Sequence, residues 1–306
     1  MLPVAISMGD PLGIGPEVVA VALAQASVRS ALEPVVFGDR ATLERAARLR
    51  GVPFHARVVQ VGSAPPDRAE RQAGALALEC VDRAARDCIG GEACALCTAP
   101  LSKHRVSLSA PGFVGHTEHL AAMTSTQVAM MMAGPRLRVV LATNHLALAD
   151  VPRKISAAQI AFVAQLAARE LRERWGIADP RIAVCGLNPH AGDGGIFGDE
   201  EERVVKPAVE KARAAGVSAS GPWPADGLFP LAARGEYDAV VALYHDQGLI
   251  PAKLLDFAAT VNVTLGLPFP RTSPDHGTAD SIAWKGEADP EPMISALLLA
   301  HRLASR

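Results

Sequence analysis

This sequence predicts an α/β protein with a mostly parallel sheet, and two patterns predict it. Short runs rich in Val, Ile, Leu and Ala recur along the chain, at a length that suits strands buried on both faces. Between many of them lie stretches with apolar residues at helical spacing, and strand–helix alternation on this scale builds a parallel sheet covered by helices. A third observation bears on function. Three of the runs lead into a histidine: LRVVLATNH up to His145, RIAVCGLNPH up to His190 and DAVVALYH up to His245.

The first strand is expected at residues 4–7, followed by a turn with Gly9, Gly13 and Gly15. A helix at 16–26 follows, with Pro16 just inside its start, as a first helical turn prefers. Further strands are expected at 34–37, 93–98, 129–132, 137–143, 182–186, 239–243 and 260–264. Helical spacing marks 72–88 and 157–174, and a helix at 200–215 stops at Gly216, a residue suited to a C-cap. Cys94 and Cys97 form a CxxC inside an apolar run, where two buried strand cysteines are expected rather than a redox pair. No repeat or low-complexity linker interrupts the chain, so composition marks no domain boundary.

At 306 residues the chain suits one large α/β unit or two modest domains. With 49% hydrophobic and 20% charged residues it is globular rather than disordered. A net charge of -2 and no Lys/Arg block argue against a nucleic-acid or membrane-surface partner. The opening MLPVAISMGDPLGIG has a short apolar run and no basic stretch, unlike a signal peptide or a membrane span. Five cysteines suit a reducing compartment, and a cytoplasmic location is expected.

The chemistry-bearing residues sit just beyond the strands. In open parallel sheets, ligands bind outside the carboxyl ends of the strands. Imidazoles from His145, His190 and His245 converging there would suit a divalent transition metal with an open coordination position. Single histidines at loop starts are ordinary; three in one context point to a shared site. GDPLGIGPE departs from a dinucleotide fingerprint, because Asp10-Pro11 interrupts the glycine spacing and Pro11 lacks an amide for phosphate. GHTEH, residues 115–119, would bind a phosphoryl or carboxylate group through His116 and Thr117, or use Thr117 to cap a helix over 118–123. NPHAGDGGIFGDEE, residues 188–201, is a polar glycine-rich loop at a strand end, where function tends to lie. Lys253 and Arg271 offer cationic clamps for an anionic substrate, and Asn262 and His276 lie in the same C-terminal stretch.

Together these segments resemble the 4-hydroxythreonine-4-phosphate dehydrogenase family of vitamin B6 biosynthesis. The resemblance rests on GDPLGIGPE, GHTEHLA, LATNHLALADVP, CGLNPHAGDGG, GDEE, PADGLF, YHDQGLIPAK and VNVTLGLPFPRTSPDHGTA, which span nearly the whole chain. It implies a two-domain fold like that of isocitrate and isopropylmalate dehydrogenases, with an interdomain cleft. The first domain would be 1–126 plus 262–306, and the second, 127–261, would carry the metal histidines. It implies a homodimer with shared active sites, NAD (with NADP as the alternative) and one divalent ion, zinc, magnesium or cobalt.

By position, the resemblance makes His145, His190 and His245 the metal ligands. His116, Thr117, Lys253, Asn262 and Arg271 become substrate contacts; His276, Gly277 and Trp284 lie in the segment implied to face the cofactor. Asp246 and Asp226 are the candidate bases. Two positions depart from the pattern: Trp284 stands where the family usually has glycine, and Gly227 where threonine is common. The indole would stack on the adenine, or else cap the core beneath the following helix. The implied reaction is NAD-dependent oxidation of the 3-hydroxyl of 4-phosphooxy-L-threonine, followed by decarboxylation to 3-amino-2-oxopropyl phosphate. The alternatives are a sibling enzyme acting on threonate or erythronate phosphate or on a dihydrodiol and, more distantly, a metal-dependent hydrolase without redox chemistry.

Overall fold

The computed structural model describes residues 2–65 and 69–305. Its strands are β1 (Val4–Ser7), β2 (Pro34–Gly38), β3 (Arg57–Gln60), β4 (Ala95–Thr98), β5 (Ala129–Ala133), β6 (Arg138–Leu141), β7 (Ile182–Cys185), β8 (Ala219–Trp223), β9 (Ala239–Ala242), β10 (Val261–Leu265) and β11 (Arg271–Pro274). The chain forms two compact units, 1–128 with 267–305 and 129–266. The join expected at residue 262 falls inside β10, which pairs along its whole length with β5 and so goes with the second unit.

In the first unit the strand order is β3-β2-β1-β4-β11, all parallel. β1 reads VAIS and β4 reads ALCT, and every residue of both is buried, as parallel strands under helices require. Helix Glu70–Ile89 packs on β1, β2 and β4, and helix Glu291–Ala304 on β11 and β4. Burial pushes the Cys97 thiol up to about 12, the state of an inert core cysteine.

In the second unit the order is β10-β5-β6-β9-β7-β8. β5 runs antiparallel to both neighbours, while β6, β9, β7 and β8 are mutually parallel. The core gathers Met130, Met132, Val139, Leu141, Val240, Ala242, Leu228 and Phe229. Helix Ala157–Trp175 packs against β6, β7 and β9 and against helix Lys206–Ala214. The single helix expected at 200–215 instead begins with one π turn, Glu201–Val205, and continues as α-helix over Lys206–Ala214. None of the described helices is long and apolar enough to cross a membrane.

Candidate active site

The three histidines follow the carboxyl ends of β6, β9 and β7, which are adjacent and parallel in the sheet. Hydrogen bonds tie these strand ends together. Beyond β6, the Thr143 hydroxyl donates to the Leu243 carbonyl at 2.6 Å, beyond β9. The Gln247 amide then bridges β9 to β7: it accepts from the Leu243 N–H and donates to the Gly186 carbonyl, both at 2.7 Å.

His145 and His245 stand together, their ring centroids 5.6 Å apart. Asp246 Oδ1 lies 2.6 Å from His245 Nδ1, which fixes the ring and leaves Nε2 as its outward atom. A cavity of about 300 Å³ adjoins the pair, lined by Asn144, His145, Leu146, Tyr244, His245 and Asp246 among others. The His190 ring lies against Phe197, with centroids 6.1 Å apart, and residues 190–195 all have positive φ. Among the described residues no three His, Cys, Asp or Glu side chains form a metal-holding group. The structure thus pairs two of the three expected ligands and carries the third on the neighbouring strand's loop. Asp226 is exposed in the first turn of helix Ala225–Ala233, which touches the His190 loop; Gly227 beside it faces open space.

Lys253 and Asn262 also belong to the second unit. Lys253 is half-buried on helix His245–Asp256, its ammonium 5.8 Å from the Phe257 ring centroid. Asn262 lies in β10 opposite Met132, and its Oδ1 is shielded from solvent without a hydrogen-bond partner among the described residues.

The other expected contacts lie in the first unit. Arg271 is 2% exposed and donates to Thr98 Oγ1 at 2.5 Å. Burial pulls its guanidinium down to about 10, with Cys97 and Glu118 opposing. His116 opens helix His116–Thr124, whose N-cap is Gly115, so Thr117 sits in the first turn and is not the cap. The His116 Nε2 is shielded and has no partner among the described residues. Burial holds its ring well below the usual imidazole value, with Arg271, His119 and Lys103 adding to the shift. A neutral imidazole, a helix N-terminus and two cations therefore meet at one corner, which is an arrangement for an anion. Lys103 was missed in the sequence; a side-chain carbon on Gly115 would come 3.5 Å from its ammonium. Only the fold brings SKHR beside GHTEH.

The 275–280 loop packs on the 9–15 turn. Ile14 N–H donates to the Thr278 carbonyl, and a side-chain carbon on Gly13 would lie 2.8 Å from Thr278, so glycine is required there. Arg105 donates to buried Asp10 at 3.0 Å and to half-exposed Asp280 at 2.5 Å, a network that the sequence did not disclose. His276 Nδ1 lies 3.1 Å from the Gly277 carbonyl, and its Nε2 is shielded without a partner among the described residues. That orphaned nitrogen and the close turn fit a loop that receives a polar ligand.

Trp284 has φ +62, the left-handed backbone that glycine adopts freely and tryptophan does not. Its N–H donates to buried Glu17 and its indole N–H to the Pro11 carbonyl at 3.0 Å. The ring packs on the Ala20, Ala46 and Ala47 cluster, and the Arg45 guanidinium sits 4.4 Å from its centroid. Of the two places expected for the indole, beside adenine or over the core, these contacts are those of the core cap.

The family described as "PdxA: Pyridoxal phosphate biosynthetic protein PdxA" matches residues 30–300. A 4-hydroxythreonine-4-phosphate dehydrogenase of Desulforapulum autotrophicum is 43% identical, over 97% of this chain and 94% of that protein. A D-threonate 4-phosphate dehydrogenase of Cupriavidus necator is 44% identical, over 100% of this chain and 98% of that protein. The crystal structure of a 4-hydroxythreonine-4-phosphate dehydrogenase from Klebsiella pneumoniae superposes with a TM-score of 0.89 at 42% identity, covering 99% of this chain and 100% of that one. The chain belongs to the PdxA family.

Proposed function

We propose that this PdxA-family dehydrogenase oxidises the 3-hydroxyl of 4-phosphooxy-L-threonine with NAD and releases the carboxylate as carbon dioxide, leaving 3-amino-2-oxopropyl phosphate. The observation that carries this reading is the placement of His145, His245 and His190 beyond three adjacent parallel strands. Three imidazoles, one oriented by Asp246, are a donor set for one divalent ion of the zinc, magnesium or cobalt type. Such an ion, when bound, supplies Lewis acidity at the reacting oxygens, and NAD, with NADP as its alternative, supplies the hydride acceptor.

The chain's own residues do the rest. His116, kept neutral by burial, uses Nε2 as a hydrogen-bonding atom rather than as a charge. Arg271, held rigid against Thr98, and Lys253 hold anionic groups of the substrate; Thr117 and Asn262 supply further polar contacts. His276 and Gly277 contact the cofactor. Asp246 is engaged with His245, so Asp226 is the carboxylate to test first as the proton acceptor.

A second reading has equal support from the relatives. The Cupriavidus necator protein is as similar as the Desulforapulum autotrophicum one, and its name gives D-threonate 4-phosphate as substrate. A metal-dependent hydrolase without redox chemistry has no such support. Purified enzyme with NAD and a divalent metal, assayed on a panel of phosphorylated four-carbon acids, separates the readings. NADH formation with 4-phosphooxy-L-threonine above the other acids supports the first; preference for D-threonate 4-phosphate supports the second. No NADH with any of them overturns both.

A homodimer is part of the proposal. Ile250, Leu254 and Phe257 are 63%, 84% and 64% exposed along one stripe of the helix that also carries His245 and Lys253. Apolar stripes of this kind mark interfaces. Leu254→Arg should give a monomer by light scattering; an unchanged dimer would place the interface elsewhere.

A further inference from the structure

The segment leading to His190 is anchored by one carboxylate. Glu201 is 1% exposed, in the first position of the π turn Glu201–Val205. Its Oε1 accepts from the Leu187 and Asn188 N–H groups at 2.7 and 2.8 Å, and its Oε2 accepts from the Asn188 side-chain amide at 2.9 Å. That amide also reaches Glu200 at 2.8 Å. Beyond His190 the same carboxylate closes against Gly192, where a side-chain carbon would lie 2.7 Å from Oε2. Glu201 therefore holds the backbone two residues before His190 and abuts it two residues after. Between these points His190 and Ala191 both have positive φ, at 52° and 51°, a conformation that L residues adopt only when the surroundings impose it. Among the described residues no cation pairs with Glu201; its partners are amides. Glu201 opens a π turn, and π turns inside helices often mark functional sites.

We propose that Glu201 is a positioning residue for His190: by fixing the chain on both sides of that imidazole, it sets where the third ligand of the proposed metal site stands. The inference rests on the three-histidine reading above. Glu201 touches no reacting atom in this account; it acts through the loop. Ligand-supporting residues of this kind typically change metal affinity by about 10–100-fold.

The test is a Co2+ titration of metal-free wild type, Glu201→Gln and Glu201→Ala, reading affinity and the visible absorption band, with thermal melts of each apo-protein. Glutamine keeps an oxygen for the two backbone N–H groups but presents a donor to the Asn188 amide, so this variant should fold. The proposal expects Glu201→Gln to bind Co2+ about 10-fold more weakly with an altered band, and Glu201→Ala to go further. Gly192→Ala, which crowds the same carboxylate, should shift the band likewise. If Glu201→Gln melts earlier but keeps the wild-type affinity and band, the carboxylate is only structural and the proposal is overturned. If wild type takes up no Co2+, or His245→Ala takes it up as well as wild type does, the three-histidine reading falls and this inference with it.

Discussion

The two units hold their candidate site residues in different ways. In the first, Arg271, Arg105, Asp10 and Glu17 are buried and already partnered: Arg271 against Thr98, Arg105 between Asp10 and the half-exposed Asp280, Glu17 under Trp284 and Gly286. In the second, His145 and His190 are exposed and His245 is half-buried, on loops that follow the strands. The contrast has a physical cause. Burying a charge without partners costs several kcal/mol, so a site built of fixed charges must satisfy them within the protein. Imidazoles carry no such obligation, and a set of them can stay open until an ion arrives. In the function proposed above, the first unit's buried cations hold an anion and the second unit's histidines are the metal ligands.

The largest effect should come from removing the ligands. His245→Ala, or chelation of the wild type, should lower kcat by about three orders of magnitude or more, because a bound metal contributes several kcal/mol to oxyanion stabilisation. Restoring metal should recover the chelated wild type but not the variant. Full turnover in metal-free enzyme would erase the contrast between the units.

Next is the buried cation. Arg271→Ala should raise KM for the phosphorylated substrate about 10- to 100-fold, the equivalent of ~1.5–3 kcal/mol for a charge-assisted contact. Arg271→Lys should recover only part of this, since lysine keeps the charge but loses the planar fork. Steady-state kinetics with varied substrate decides it; an unchanged KM would make Arg271 a purely structural cation.

Trp284 tests how far the first unit's packing is its own purpose. Trp284→Gly relieves a left-handed backbone costing about 1–2 kcal/mol but removes the indole's hydrogen bond, its packing and the Arg45 contact. The expected balance is a loss of about 2 kcal/mol in stability, seen as a melting temperature several degrees lower, with NAD affinity within two-fold of wild type. A several-fold change in NAD affinity would return the indole to the cofactor.

The smallest effect is a pH dependence. Burial lowers the His116 pKa in the folded state, so below about pH 6.5 the unfolded chain takes up a proton that the folded one refuses. Stability should therefore fall as pH drops below about 6.5, by at most about 1.4 kcal/mol per pH unit from this residue, and be indifferent to it above. The gap between the urea midpoints of wild type and His116→Gln should change with pH below about 6.5 and become constant above it. Parallel curves would mean that His116 titrates normally.

The fold class was legible because a buried parallel strand needs an unbroken apolar run, as in VAIS, IAVC and AVVA. β3, β8 and β11 were not legible, each for its own reason. β3 is a half-exposed edge; β8 reads ASGPW, with glycine and proline where a strand is not expected; β11 reads RTSP and is buried though polar. The histidines showed in the sequence because each directly follows its own strand. That β6, β9 and β7 are neighbours is a matter of topology, which no local pattern encodes.

The sequence by itself determined the α/β class, the ends of strands at which His145, His190 and His245 stand, and the membership that GDPLGIGPE and the later motifs announce. Only the tertiary structure decided the partners. It put Lys103 beside His116, Glu201 beneath the His190 loop, and Arg45 on the face of Trp284. Strand identity is local, set by a few adjacent side chains. The environment of a buried charge or a left-handed loop depends on residues far off in the chain, and those meet only when the sheet has been assembled.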